Sequence, residues 1–453
     1  MVNKQIIDRF KLFQQRTGKY PDFDITHLKF SQVQLKDIAK TPLKSGGTPK
    51  TEVPEYWASD FSLVDNKNYF GWRDINKEIF EKGIITEYSK IITKKGYDSS
   101  STWLVPSNSI LIAMASASKG LLAINSLPMC TNQNILALVI KDAFDVKYIY
   151  YSLKEIYRTL EGKKEFGNLT KGSEEQRYIT IPKSIDDIYT SFKIQKILVD
   201  FFEYFNNLNK KNIERVDFIL SCIENIDKII IPHVFSKQSS ACKRFNSFCE
   251  KSGIELKLED INFEEKLIDN FTNISGGSSD YSKSYFNNSK NRGEYNVYTG
   301  SLESVPNIKP AKESDIIKEE SVSFNKDNDA GSKAFYHNKP FVVGGHHYAA
   351  LIKEANKTDV FIKYFYYTMK DLFNRNMFFQ SKDPRANSGV IKMYKVNFPI
   401  SNSKYNSIEI QKIISQFFEQ YFERLTKMNQ LCLHLKVLYL NHAQFIIQNT
   451  LKG

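Results

Sequence analysis

No stretch of this 453-residue chain holds the roughly 20 consecutive apolar residues that a bilayer-spanning helix needs. Charges such as Lys4, Asp8 and Arg9 interrupt its first apolar residues, which excludes a secretory signal and sets the expectation of a soluble, cytoplasmic protein. Cysteine is sparse: Cys130, Cys222, Cys242, Cys249 and Cys432 are odd in number, scattered, and form no C-x-x-C pair. A zinc ribbon and a disulfide framework are therefore both excluded, leaving reduced packing residues. Catalytic motifs are missing too. An adenine methyltransferase needs an N/D-P-P-Y/F loop around its flipped base, whereas Asn397-Phe398-Pro399-Ile400 lacks the second proline and the aromatic after it. Gly162 and Gly167 have the glycine spacing of a P-loop, but Asn168 stands where the lysine must be. Asp22 with Asp65 and Lys67 is a loose carboxylate–lysine set of a kind common by chance. Gly344-Gly345-His346-His347 has no carboxylate or cysteine pair nearby to complete a metal site. On a strand, those adjacent histidines would point to opposite faces.

What is present is an ordinary globular composition, 41% hydrophobic and 25% charged, in a chain long enough for two to four domains. The net charge of +12, with a pI near 9.1, favours a polyanionic partner, because neutralising phosphates releases their counterions.

The chain also repeats itself. Lys147–Tyr157 matches Lys363–Phe373 position by position at an offset of 216, as Ile194–Ile197 matches Ile410–Ile413 and Phe201–Glu203 matches Phe417–Glu419. Gly172 and Pro182 align with Gly389 and Pro399 at offset 217. Upstream, Lys44–Thr48 finds a counterpart in Ile274–Ser278. Earlier still, Arg9, Phe10, Phe13 and Gly18 match Arg244, Phe245, Phe248 and Gly253. Ordered blocks of this kind mean duplication. Segments 50–140 and 280–355 resemble each other little, as two readers of different targets would, or as loops drift after duplication.

Each copy ends in a long apolar-periodic stretch. Ile410, Phe417, Arg424, Leu431, Leu438 and Phe445 fall every seven residues, with Ile414, Tyr421, Met428, Leu435 and His442 between them. This is a heptad seam broken at Arg424. The first copy, from Ile194 to Ile226, is rougher through Asn206–Glu214, where the helix is expected to be irregular. Two helices of about 35 residues would each span about 50 Å. Packed antiparallel they would form a rod between two domains; alternatively each packs on its own domain. Ser109–Met114, Ile135–Ile140, Val322–Phe324 and Pro340–Val343 read as buried strands, and the KYIYY and KYFYY segments as helix starts. The predicted fold is α+β: two tandem pseudo-symmetric domains, separated and joined by two long antiparallel coiled-coil helices. The expected segments are 1–188 (extension and first domain), 189–236 (central spacer helix), 237–405 (second extension and domain) and 406–453 (C-terminal spacer helix).

The order of SGGTP, LVPSNSILIA, CTNQNILAL, KYIYYSL, GNLTKGS and IQKILVDFF resembles that in specificity subunits of type I restriction–modification systems. SGGSS, EYNVYTGSL, KPFVVGGHHYAAL, KYFYYTM, NSGVIKMYKVNFPI and IQKIISQFFEQ follow in the second copy. The resemblance runs from about Val33 to about Leu440. It implies that the two tandem pseudo-symmetric domains are target recognition domains of a non-catalytic subunit, reading a bipartite double-stranded DNA target in the major groove. It also implies partners: DNA methyltransferase subunits, two of them, and restriction or translocase subunits. No cofactor is expected on this chain; S-adenosylmethionine, ATP and magnesium belong to the partners. Segments 1–30 and 237–262 extend beyond the family pattern, either to dock a partner or to seal each domain.

Phosphate contacts position and base-edge contacts specify, so the expected DNA-binding residues are basic and polar ones in the divergent inserts and their loops. In the first copy these are Lys44, Thr48, Arg73, Lys94, Lys95, Ser116, Ser118, Lys119, Lys163, Lys164, Asn168 and Lys171. In the second they are Lys283, Lys290, Asn291, Arg292, Lys326, His346, His347, Gln380, Lys382, Arg385, Asn387 and Ser388. Two other readings stay open: a stand-alone DNA nuclease, and an assembly scaffold that does not read DNA.

Overall fold

The computed structural model describes residues 2–65, 67–73, 83–114, 119–161, 169–299, 305–325, 334–374 and 388–451. The chain divides into two units, Met1–Val216 with His434–Gly453, and Asp217–Leu433. In chain order the first unit contains α1 (Lys4–Thr17), β1 (Phe30–Gln34), α2 (Leu35–Ile38), β2 (Lys44–Ser45), β3 (Trp57–Ala58), β4 (Tyr69–Arg73), β5 (Ile84–Ile85) and β6 (Lys90–Thr93). There follow α3 (Lys94–Asp98), β7 (Ser109–Ala113), β8 (Leu122–Asn125), β9 (Cys130–Thr131), β10 (Ile135–Leu138), α4 (Val146–Glu161), α5 (Lys171–Glu175) and β11 (Tyr178–Pro182). The long helix α6 (Ser191–Asn225) begins in this unit.

Among the described residues these strands form a five-stranded sheet, β2-β10-β7-β8-β5, a four-stranded sheet, β3-β6-β4-β9, and the antiparallel pair β1-β11. Every residue of β7, β8 and β10 is buried, which is why their sequences run apolar without alternation.

The second unit contains α7 (Asp227–Phe235), α8 (Ser239–Lys251), β12 (Phe263–Leu267), α9 (Ile268–Phe271), β13 (Thr272–Gly276), α10 (Lys283–Asn287), β14 (Arg292–Tyr298) and β15 (Val305–Ile308). Next come β16 (Ile316–Ile317), β17 (Ser321–Asn325), β18 (Ala334–His337), β19 (Phe341–Val343) and β20 (His347–Ile352). The unit closes with α11 (Ile362–Asn374), α12 (Ser388–Lys392), β21 (Lys395–Pro399) and the start of α13 (Ser407–Leu451). Its sheets are β13-β20-β17-β18, β15-β14-β19-β16 and β12-β21.

The two copies fold alike, the divergent inserts included. In both, one parallel pairing anchors the sheet formed within the divergent insert, β4 with β9 and β14 with β19. The first copy adds the edge strands β3 and β5.

The residues that betray the duplication make the same bonds twice. Gln195 is fully buried and its Oε1 accepts from the Asp145 N–H at 2.9 Å; Gln411 accepts from the Phe361 N–H at 2.8 Å. Each thereby satisfies a donor at the start of α4 or α11. Tyr148 donates to the Thr180 carbonyl at 2.9 Å and Tyr364 to that of Asn397 at 2.7 Å. Lys147 pairs with Glu203 as Lys363 pairs with Glu419.

The R-F-x-x-F segments seal each domain. Phe10 and Phe13 of α1 pack on Phe201 at 5.1 and 5.7 Å between ring centroids, and Phe245 and Phe248 of α8 pack on Phe417 at 5.4 and 5.6 Å. The matched glycines end these helices: Gly18 and Gly253 both adopt φ of +68°, a left-handed conformation that favours glycine.

Four expectations need correction. First, the helix is not irregular through Asn206–Glu214. Its polar residues find side-chain partners instead, Asn206 on the Tyr151 hydroxyl at 3.2 Å and Asn209 on His442, so α6 continues to Asn225. Second, the central spacer does not extend to residue 236. The chain breaks at Ile226, and Ile230, Ile231, Val234 and Phe235 of α7 belong to the core of the second unit.

Third, the seven-residue seam is not the buried line of α13. Ile410, Ile414 and Phe417 are buried at one end, Cys432 midway, and Ile446 and Thr450 at the other, whereas Leu431 is 56% and Leu438 48% exposed. An α-helix drifts by about 20° per heptad relative to a seven-residue repeat. Over four heptads the buried face moves on by nearly one residue. Fourth, the glycine motifs align one residue differently. Ser45 pairs with Leu136 as Gly276 pairs with Tyr348, which makes Gly46 the equivalent of Gly277.

Candidate nucleic-acid interface

Gly46 and Gly277 fix how the chain leaves β2 and β13 toward the second sheet of each copy. A Cβ on Gly46 would lie 2.1 Å from the Thr131 carbonyl oxygen, and one on Gly277 2.2 Å from that of Gly344. Only glycine allows the backbones to approach so closely. Lys44 lies on β2 of the five-stranded sheet just before this crossing, and Thr48 just after it.

In the first copy the four-stranded sheet carries Trp57 and Trp72, whereas Trp103 packs against the core of the five-stranded sheet. The Lys90 ammonium lies 5.1 Å from the Trp57 ring and 5.8 Å from that of Trp72, and Lys44 lies 5.4 Å from the Trp103 ring. Exposed ammonium groups held on indole faces have their remaining donors toward solvent. Trp57, Phe61, Pro54 and Lys90 line a cleft of about 580 Å³. Thr48 donates to Gln133 Oε1 at 3.0 Å. Lys94 pairs with Asp98, and Lys95 with Glu55 at 2.6 Å, on an α3 packed closely enough that only Gly96 fits against the Tyr56 carbonyl.

Arg73 differs. Its side chain is 14% exposed and Nη2 reaches Glu87 at 3.4 Å, so it is mostly enclosed. Lys119 lines a separate cavity with Tyr150 and Lys154. Lys171 stands on α5, which packs on α2 and pairs it with Glu175 at 3.6 Å. These two are not gathered into the tryptophan cluster.

In the second copy tyrosines replace the tryptophans. Tyr281 donates to Asp315 at 2.6 Å, Tyr285 to the Lys309 carbonyl at 2.8 Å, and Asn291 Nδ2 to the Tyr285 carbonyl at 3.0 Å. This framework presents Lys290 and Arg292, both exposed, at the start of β14, and the exposed His346 lies in the turn between β19 and β20. Lys283 begins α10, its side chain lying outside the described residues, and Ser388 begins α12. Ser116, Ser118, Lys163, Lys164, Asn168, Lys326, Gln380, Lys382, Arg385 and Asn387 all lie outside the described residues.

His347 is corrected from a surface contact to a core residue. It is 1% exposed, and its Nε2 lies 3.0 Å from Ser323 Oγ, which is 2.6 Å from His337 Nε2. Burial pushes the pKa of His347 down to about 4 and that of His337 down to about 3, so neither carries charge near neutral pH. The sequence reading missed Lys90 and the tryptophans around it; the crowding of all three tryptophans into residues 57–103 was the available signal. Among the described residues no group of three or more His, Cys, Asp or Glu is placed to hold a metal ion, and no helix is long and apolar enough to cross a membrane.

Two equivalent α+β copies with unlike exposed polar surfaces make this a tandem-repeat protein. The profile of the type I restriction modification DNA specificity domain matches residues 28–217 and 261–433, and the chain belongs to that family. Over 210 residues it is 27% identical to the type I restriction enzyme MjaIX specificity subunit of Methanocaldococcus jannaschii. That match covers 41% of this chain and 44% of the relative, so the chain spans less than half of that relative's length. Among solved structures, the HsdS subunit from Thermoanaerobacter tengcongensis is 12% identical with a TM-score of 0.56, covering 94% of this chain and 97% of that one. A chain from a structure on complex assembly and conformational transition of the type I R-M system is likewise 12% identical. Its TM-score is 0.58, with coverage of 94% and 98%. These likenesses concern the fold.

Proposed function

We propose that this chain is the non-catalytic DNA-reading subunit of a type I restriction–modification complex, each copy contacting one half of a split double-stranded target. One observation carries this reading: scaffold bonds such as Gln195/Gln411 recur while the exposed surfaces differ, Lys90 beside Trp57 and Trp72 in one copy and the exposed Lys290, Arg292 and His346 in the other. A shared frame with unlike surfaces suits two unlike half-sites. Lys44, Lys90, Lys94, Lys95, Lys290 and Arg292 supply phosphate contacts, and Thr48, Gln133, Asn291 and His346 contact base edges.

In this reading α6 and α13, about 52 and 67 Å long at 1.5 Å per residue, set the spacing between half-sites as an antiparallel pair. The exposed apolar residues Met428, Leu431, Val437 and Leu438 on α13 dock helical parts of two methyltransferase subunits, and restriction subunits join through them. S-adenosylmethionine, ATP and magnesium are bound by those partners. Methylated positions in the host genome with and without this gene test the proposal. A split motif that disappears on deletion is expected, and an unchanged methylation pattern refutes it.

A further inference from the structure

The duplication supplies its own control for a cavity in the first unit. Tyr150, Tyr151 and Lys154 on α4 have equivalents in Tyr366, Tyr367 and Lys370 on α11. Around them the copies part. In the second copy Phe422 lies beside the lysine, its ring 5.1 Å from the Lys370 ammonium and stacked on Tyr367 at 6.1 Å. The equivalent residue in the first copy is Asn206, whose smaller side chain donates to the Tyr151 hydroxyl at 3.2 Å. There a cavity of about 410 Å³ stands open, bounded by Leu121, Tyr150, Lys154, Arg158, Gln444 and Ile447.

Tyr157, also on the cavity wall, donates to the fully buried Glu174, and the Arg177 guanidinium binds that carboxylate through two bonds of 2.6 Å. The second copy has Phe373, Ile391 and Tyr394 at these positions and the same fold. Replacing a buried ion pair with apolar residues is often neutral or stabilising. The fold therefore does not explain the polar set in the first copy.

The cavity carries excess positive charge. Its one carboxylate, Glu155, is held by Arg158 through bonds of 3.0 and 2.6 Å. The Lys154 ammonium, 3.5 Å from the Tyr150 hydroxyl, has no carboxylate partner among the described residues. The lining also includes the apolar residues Leu121, Leu440, Ala443 and Ile447.

We infer that this cavity binds a small amphiphilic anion, with a phosphate, sulfonate or carboxylate on Lys154 and an aromatic or aliphatic body against Leu121 and Ile447. Its volume lies in the range of small-molecule sites, about 300–1,000 Å³. In the second copy Phe422 takes the place of Asn206, so binding at the equivalent position is not expected.

Titration calorimetry of the full chain with 1-naphthyl phosphate tests this, with inorganic phosphate and 1-naphthol as separate arms. One site per chain is expected, at least tenfold tighter for naphthyl phosphate than for either fragment. Lys154→Met and Asn206→Phe should each weaken binding tenfold or more while circular dichroism and melting stay as in the parent, and Lys370→Met should leave it unchanged. Absence of saturable binding, equal affinity for inorganic phosphate, or undiminished binding in a folded Asn206→Phe or Lys154→Met chain would overturn the inference.

Discussion

His442 near the end of α13 donates from Nδ1 to Asn209 Oδ1 of α6 at 3.2 Å, and its ring meets that of Phe205 edge-on at 5.6 Å. Asn209 is 4% exposed, so the bond lies where water does not compensate its loss. Asn209→Ala should lower stability by about 1–2 kcal/mol through a lost hydrogen bond and an unpaired imidazole donor. A urea titration followed by tryptophan emission reads this, because every tryptophan lies in the first unit. An unchanged midpoint would remove the bond from the forces holding the helix ends together.

The buried histidines of the second unit make it sensitive to acid. His337 and His347 have folded pKa values of about 3 and 4 against an ordinary 6.5, because burial disfavours the charged ring. The unfolded chain then binds more protons as pH falls. The stabilisation is fully present above about pH 6.5 and is lost as pH drops toward 4 and 3. Between pH 7 and 5 the loss should be about 2–4 kcal/mol. Ellipticity should therefore fall in acid before tryptophan emission changes. Simultaneous loss of both signals contradicts this.

At the glycine crossings a single methyl group is enough to do damage. Gly46→Ala and Gly277→Ala each force a Cβ against a carbonyl oxygen of the backbone, which cannot yield as a side chain would. Each should destabilise its own unit by about 2 kcal/mol or more. Thermal melting of the two variants checks it, with tryptophan emission shifting for Gly46→Ala only.

Lys90→Ala should weaken binding to duplexes of any sequence and reduce the salt dependence of the affinity by about one unit of slope, as loss of one phosphate contact does. His346→Ala should instead alter preference at a base position of one half-site, by about 1–3 kcal/mol. Fluorescence titrations over a salt series separate the two effects. Equal slopes for Lys90→Ala and the parent chain would take Lys90 off the interface.

Arg177→Leu strands the Glu174 carboxylate in the core and should cost about 3–5 kcal/mol. The combined Tyr157→Phe, Glu174→Ile, Arg177→Tyr chain, which adopts the set of the second copy, should recover most of that loss. A triple variant less stable than Arg177→Leu would mean that the two cores are not interchangeable.

The sequence by itself determined the duplication, several buried strands, the long helices and the absence of familiar catalytic motifs. Duplication was legible because residues such as Gln195 and Gln411 make the same buried bond, and a buried bond tolerates little drift. Strands such as β7 were legible because burial on both faces demands unbroken apolar residues. Tertiary structure alone decided which face of α13 is buried, since a seven-residue pattern and a turn of 3.6 residues part company over 45 residues. It also decided that His347 is core and His346 surface, because strand register, not residue type, sends one toward Ser323 and the other outward. The approach of Lys90 to Trp57 and Trp72 on one small sheet was equally hidden. It depends on pairings between strands far apart in the chain, and local spacing carries no record of those.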